Sequence, residues 1–135
     1  MRNIYILLTI ILFMSGAMGQ SDDPCVSCLP NGITFTTQMQ VDSFQVNYPN
    51  CDQILGNVTI SGSTIANLNG LSALNAIDGF LYITNNDSLT SLSGLDKLVS
   101  IGGFLWIREV SSITSLDGLG DLNNVGSSLK IYDNP

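Results

Sequence analysis

Two consecutive blocks decide the fold: GFLYITNNDSLTSLSGLDKLVSIG at Gly79–Gly102 and GFLWIREVSSITSLDGLGDLNNVG at Gly103–Gly126. Each is 24 residues long, and they align without a gap. Counted from the first glycine, aliphatic residues hold positions 3, 5, 11, 14, 17, 20 and 23 of both blocks. In the first block these are Leu81, Ile83, Leu89, Leu92, Leu95, Leu98 and Ile101. In the second they are Leu105, Ile107, Ile113, Leu116, Leu119, Leu122 and Val125. An amphipathic helix would group apolar residues at i, i+3, i+4 and i+7, and no such grouping occurs. The step from position 3 to 5 is strand alternation. The three-residue steps after it, spaced by Ser, Asn, Asp and Gly, suit a chain that turns corner after corner about one axis.

The pattern extends in both directions. Gly56-Asn57-Val58-Thr59-Ile60 precedes the blocks and Ser127-Ser128-Leu129-Lys130-Ile131 follows them, giving steps of 23, 24 and 24 residues. A second motif recurs as Leu68-Asn69-Gly70-Leu71, Leu92-Ser93-Gly94-Leu95 and Leu116-Asp117-Gly118-Leu119. One such turn cannot bury its own apolar stripe, whereas stacked turns bury a shared column. The expectation is an all-β, parallel β-solenoid of about three and a half turns of 23–24 residues. Glycines at positions 1 and 16 mark corners where a Cβ would clash or φ must be positive.

Upstream the texture changes. Thr37 and Gln40 make a capping box, and Val41, Phe44 and Tyr48 follow on one face. This spacing predicts a helix over roughly 37–47, stopped by Pro49, within a capping segment 35–49. It would cover the first turn's apolar edge. Residues 1–19 read as a removable export signal: Arg2, the apolar run Ile4–Phe13, and Ala17-Met18-Gly19 before Gln20. That run is too short for a membrane-spanning helix of roughly 20 residues, and no other segment suits one. Residues 20–34 read as a Cys-bearing coil. With export, Cys25, Cys28 and Cys51 are expected to support a structural disulfide rather than redox chemistry or zinc, which lacks its further ligands.

Composition narrows the function. The chain has 135 residues, 4 basic against 11 acidic, no histidine, and a net charge of −7. Removing the leader with Arg2 leaves 3 − 11 = −8 on the side chains. A phosphate backbone needs clustered Lys and Arg, so nucleic acid is excluded as a partner. The commonest general base and metal ligand is missing. No paired carboxylates stand out, Glu109 being the one glutamate, so neither an enzyme nor a metal or cofactor is expected.

Asn50-Cys51-Asp52-Gln53-Ile54-Leu55-Gly56-Asn57-Val58-Thr59-Ile60 resembles the opening of receptor L domains, the ligand-binding modules of insulin and EGF receptors. The Gly-x-Leu-x-Ile strands, the Asn85-Asn86 turn and the Leu-x-x-Leu-x-Gly-Leu runs resemble the family's secreted bacterial, leucine-rich-repeat members more closely. The resemblance spans about residues 28–135. It implies a right-handed β-helix over 50–135, an N-terminal α-helical cap, and a Cys28–Cys51 disulfide. Cys25 has no place in the pattern. The last repeat stops partway, which suggests truncation and an open solenoid end prone to self-association.

Positions 3 and 5 of each strand point inward, so positions 2 and 4 point out. This places Phe80, Tyr82, Phe104 and Trp106 on one outer face, with Arg108 and Lys130 nearby. An exposed aromatic patch of this kind suits a sugar ring or a protein's apolar anchor, and the two cations suit a carboxylate or hydroxyl. The expected function is a non-catalytic binding or adhesion module for a protein or carbohydrate ligand. It would be secreted, periplasmic or on the cell surface. The alternatives are a structural spacer of a larger surface protein, with the rings serving only cross-strand packing, and a fragment of a polysaccharide-acting β-helix enzyme.

Overall fold

The computed structural model describes residues 26–134. The expected leader, Met1–Gly19, and Cys25 lie outside them. Ten short strands divide between two sheets, alternating along the chain. Sheet A holds β1 (Val26–Cys28), β3 (Cys51–Ile54), β5 (Ala76–Ile77), β7 (Ser100–Ile101) and β9 (Asn124–Val125). Sheet B holds β2 (Ile33–Phe35), β4 (Val58–Ile60), β6 (Leu81–Thr84), β8 (Leu105–Arg108) and β10 (Leu129–Tyr132). All neighbours are parallel, and each pair keeps one register except β1 with β3, which shifts by a residue between Val26 and Ser27. The chain therefore passes from one sheet to the other and back in each repeat, adding one strand to each.

The register turns the repeat into columns. Ile33, Val58, Leu81, Leu105 and Leu129 form one row, and Phe35, Ile60, Ile83, Ile107 and Ile131 another. Leu89, Leu92, Leu95, Leu98 and Ile101 join Val58, Leu81, Leu105, Phe35, Ile60, Ile83 and Ile107 in a single core cluster, which leaves out Leu129 and Ile131 at the end of the rows. All seven aliphatic stations of the Gly79–Gly102 block are at most 1% exposed. In the next block only Leu105 and Ile107 are buried to that degree; Leu116 is 42% exposed. Placing all fourteen stations in a dry interior therefore needs correction. Leu105 and Ile107 are covered by β10, while a shallow hollow lined by Leu116, Leu119, Leu122, Leu129 and Ile131 opens beside them.

Two local devices hold the circuits together. Gly94 has φ +105°, and a Cβ there would meet the Leu68 carbonyl oxygen at 2.1 Å, so the preceding circuit requires glycine. Asn86 is fully buried: its Nδ2 donates to Ile60 O (2.9 Å) and Thr84 O (2.8 Å), and its Oδ1 accepts from Gly62 N (2.9 Å). Asn134 repeats the arrangement with Ile107 O, Tyr132 O and Val110 N. Each side chain joins its own circuit to the one before, satisfying backbone groups that the corner leaves unpaired.

The capping box forms, with Thr37 Oγ1 accepting from Gln40 N and Gln40 Oε1 from Thr37 N. The single helix over 37–47 does not form. It is split at Ser43 into α1 (Gln38–Asp42) and α2 (Phe44–Asn47). Ser43 Oγ donates to Met39 O, the carbonyl that also takes the Ser43 N–H. This side-chain competition for an i−4 carbonyl bends the helix. Val41 and Phe44 still enter the core, and α1 backs against Gly70, whose missing Cβ leaves room for the Val41 carbonyl. Of the segment read as coil at 20–34, the described part from residue 26 on needs correction, because β1 and β2 make it an earlier circuit. Cys28 on β1 is bonded to Cys51 on β3, with Cα atoms 5.8 Å apart.

Candidate functional site

The outward row of sheet B runs Thr34, Thr59, Tyr82, Trp106, Lys130 across its five strands. One residue before β4, β6, β8 and β10 stand Asn57, Phe80, Phe104 and Ser128, whose positions are tied by Val58 N to Phe80 O, Leu81 N to Phe104 O and Leu105 N to Ser128 O. The aromatic residues come together on one face, as the alternation predicts. They are half-buried, not a freely exposed patch.

The reason is that the rings cover each other. Phe80 and Phe104 stack at 4.5 Å between centroids with planes 8° apart. Phe104 and Trp106 stack at 4.1 Å and 28°. Two partners that close cannot share one face of Phe104, so its two faces are both occupied. Trp106 meets Tyr82 edge-on, at 6.2 Å and 89°. Each such pair contributes about 0.5–1.5 kcal/mol beyond the area it buries.

Ser128 explains how Trp106 joins the stack. It holds the station that Phe80 and Phe104 hold in earlier circuits, but its side chain is small. The Trp106 indole leans toward it and donates from Nε1 to Ser128 Oγ at 3.1 Å. Lys130 then lies over the same indole, Nζ 4.7 Å from the ring centroid. At the other end, Asn57 closes the row by accepting from Phe80 N through Oδ1 at 3.1 Å. On this face the Phe104 and Trp106 rings are covered by their neighbours, and an ammonium stands at one end.

Arg108 and Lys130 are not equivalent. Arg108 bonds Glu109 through Nη2, lies 3.5 Å from Asp133 through Nε, and has the Tyr132 ring 5.7 Å away. The hydrogen bond and charge of Glu109 hold the guanidinium above its ordinary pKa. Glu109 is braced on its other oxygen by Thr84 Oγ1 at 3.5 Å. Glu109, Asp133, Tyr132 and Ser128 all shape this end of the face; alternation puts Ser128 on it, while the other three were missed by sequence reasoning. A signal for Glu109 and Asp133 was available: they repeat the Asn85 corner one and two circuits on, and all three have φ of 53–55°.

Other chemistry is sparse. Among the described residues, no three Cys, Asp or Glu side chains converge as a metal site. No helix among them is long and apolar enough to cross a membrane. The Cys28–Cys51 disulfide fits an extracellular or exported protein.

The receptor L domain family model matches residues 50–122, more than half of the chain. The chain belongs to the receptor L domain family. Receptor L domains are ligand-binding modules of receptors and not catalysts. In this receptor L domain, the matched span takes in β3 to the corner before β9, including Phe80, Tyr82, Phe104, Trp106 and Arg108 but not Lys130. The β1–β2 circuit and the helices lie ahead of it. No curated protein matches the chain.

Proposed function

We propose that this receptor L domain is an exported, non-catalytic binding module, wound as a right-handed β-helix, that holds a protein ligand on the outer face of sheet B. The observation that carries the reading is the continuous aromatic ridge of Phe80, Phe104, Trp106 and Tyr82 on parallel strands. A rigid aromatic surface costs little side-chain entropy to present, which is why such residues dominate binding hot spots.

The ridge favours protein over carbohydrate. A sugar ring binds by laying its C–H face on an open aromatic face, and both faces of Phe104 are already taken. Ring edges instead accept the aliphatic or carbonyl edges of a polypeptide. The adhesion and surface-display roles and the leader at Met1–Gly19 belong to the same proposal.

The test is to probe a surface-protein array and a glycan array with the purified chain and with the double variant Tyr82→Ala, Trp106→Ala. Circular dichroism during urea titration monitors folding. The expected result is binding on the protein array that falls at least about tenfold in the variant while cooperative unfolding persists. Unchanged binding by a folded variant overturns the reading.

A further inference from the structure

Positive charge is concentrated in one place on this acidic chain. The described residues include three cations, Lys97, Arg108 and Lys130, and two of them stand on the outer face of sheet B. Arg108 is already committed to Glu109 and Asp133. Lys130 is exposed and, among the described residues, makes no salt bridge and has the Trp106 ring as its one aromatic contact. Its three donors have no partner among the described residues, at the end of a ridge in which both faces of Phe104 are occupied and whose ring edges carry partial positive charge.

We propose that this ridge docks an extended segment of a partner protein carrying a carboxylate side chain close to an apolar one, the carboxylate on Lys130 and the apolar side chain against Tyr82 and Phe104. The proposal rests on the sheet B reading above and adds the chemistry of the partner. Lys130 and Tyr82 lie in one row, two strands apart. Strands stand about 4.8 Å from each other, so the two sites are separated by ~10 Å, or about three residues of extended chain crossing the strands. A segment with Asp or Glu two to four residues from an aliphatic or aromatic side chain spans both. The chain's net charge of −7 opposes such a partner only at long range, since exposed charges beyond about 8 Å are largely screened at physiological salt. Lys130 acts at contact, where screening is least.

A displayed library of random dodecapeptides, selected on the purified chain, supplies the probe. Enriched peptides are expected to pair Asp or Glu with an apolar residue at that spacing. For one synthetic peptide so obtained, replacing its carboxylate by the amide and replacing Lys130→Gln are each expected to weaken binding about tenfold, with little further loss when combined. Lys130→Gln changes an exposed residue and leaves the fold in place. Enriched peptides without acidic residues, or indifference to Lys130→Gln, overturn the carboxylate proposal. If the same peptides still lose binding with Tyr82→Ala, the sheet B reading stands alone. Indifference to both variants, or failure to enrich any peptide, overturns both.

Discussion

The circuit Gly79–Gly102 and the circuit that follows it carry the same pattern and meet different fates. Leu92 and Leu116 occupy the same station, yet Leu92 is 0% and Leu116 42% exposed. At the strand station Leu81 and Leu105 are both 0% exposed, and exposure rises only one circuit further on, to 58% at Leu129. The residues do not differ; their neighbours do. Among the described residues, the earlier circuit has a full circuit on either side, and the later stations face only a partial one. Burial in stacked repeats is therefore a property of the interface between circuits, and each circuit's stability depends on the next.

The largest effect that tests this comparison is a paired truncation. Leu92→Ala removes a fully enclosed side chain and is expected to cost about 2–5 kcal/mol in urea unfolding. Leu116→Ala at the same station is expected to cost under about 1 kcal/mol, because water already reaches it. Equal losses would mean that station, not neighbour, sets the energy. A smaller effect comes from the two corner asparagines. Asn86→Ala leaves Ile60 O, Thr84 O and Gly62 N without partners in a buried site and is expected to cost about 2–3 kcal/mol. Asn134→Ala, half-buried with the same bonding pattern, is expected to cost about 1 kcal/mol or less in the same titration.

Much of the stack was legible because inward stations recur at a fixed step, so Leu81, Leu105 and Leu129 could be aligned without any structural knowledge. The first circuit escaped notice for a physical reason. Ile33-Thr34-Phe35 pairs with Val58-Thr59-Ile60 at a step of 25 residues, and the helices interrupt the pattern between them. Sheet A was harder still. Strands β5, β7 and β9 have two residues each, which is too few to show alternation. At the site, alternation correctly assigned Phe80, Tyr82, Phe104 and Trp106 to one face. It carries no information about ring tilt, so the half-burial of the rings and the covering of Phe104 on both faces were not foreseen. The tilt follows from Ser128, whose small side chain admits the Trp106 indole. Likewise, the separation of Arg108 from Lys130 depends on Glu109 and Asp133, which are near only once the corners are stacked.

The most direct measurement is site-resolved amide hydrogen exchange at one station followed from circuit to circuit. The amides of Val58, Leu81 and Leu105 donate to Phe80, Phe104 and Ser128 of the following circuit. Leu129 stands at the same station with no further strand beyond it among the described residues. Strong protection at Val58 and Leu81, with Leu129 exchanging near the rate of an open chain, is the predicted result. Protection of Leu129 equal to that of Leu81, or fast exchange at Leu81, would contradict the account.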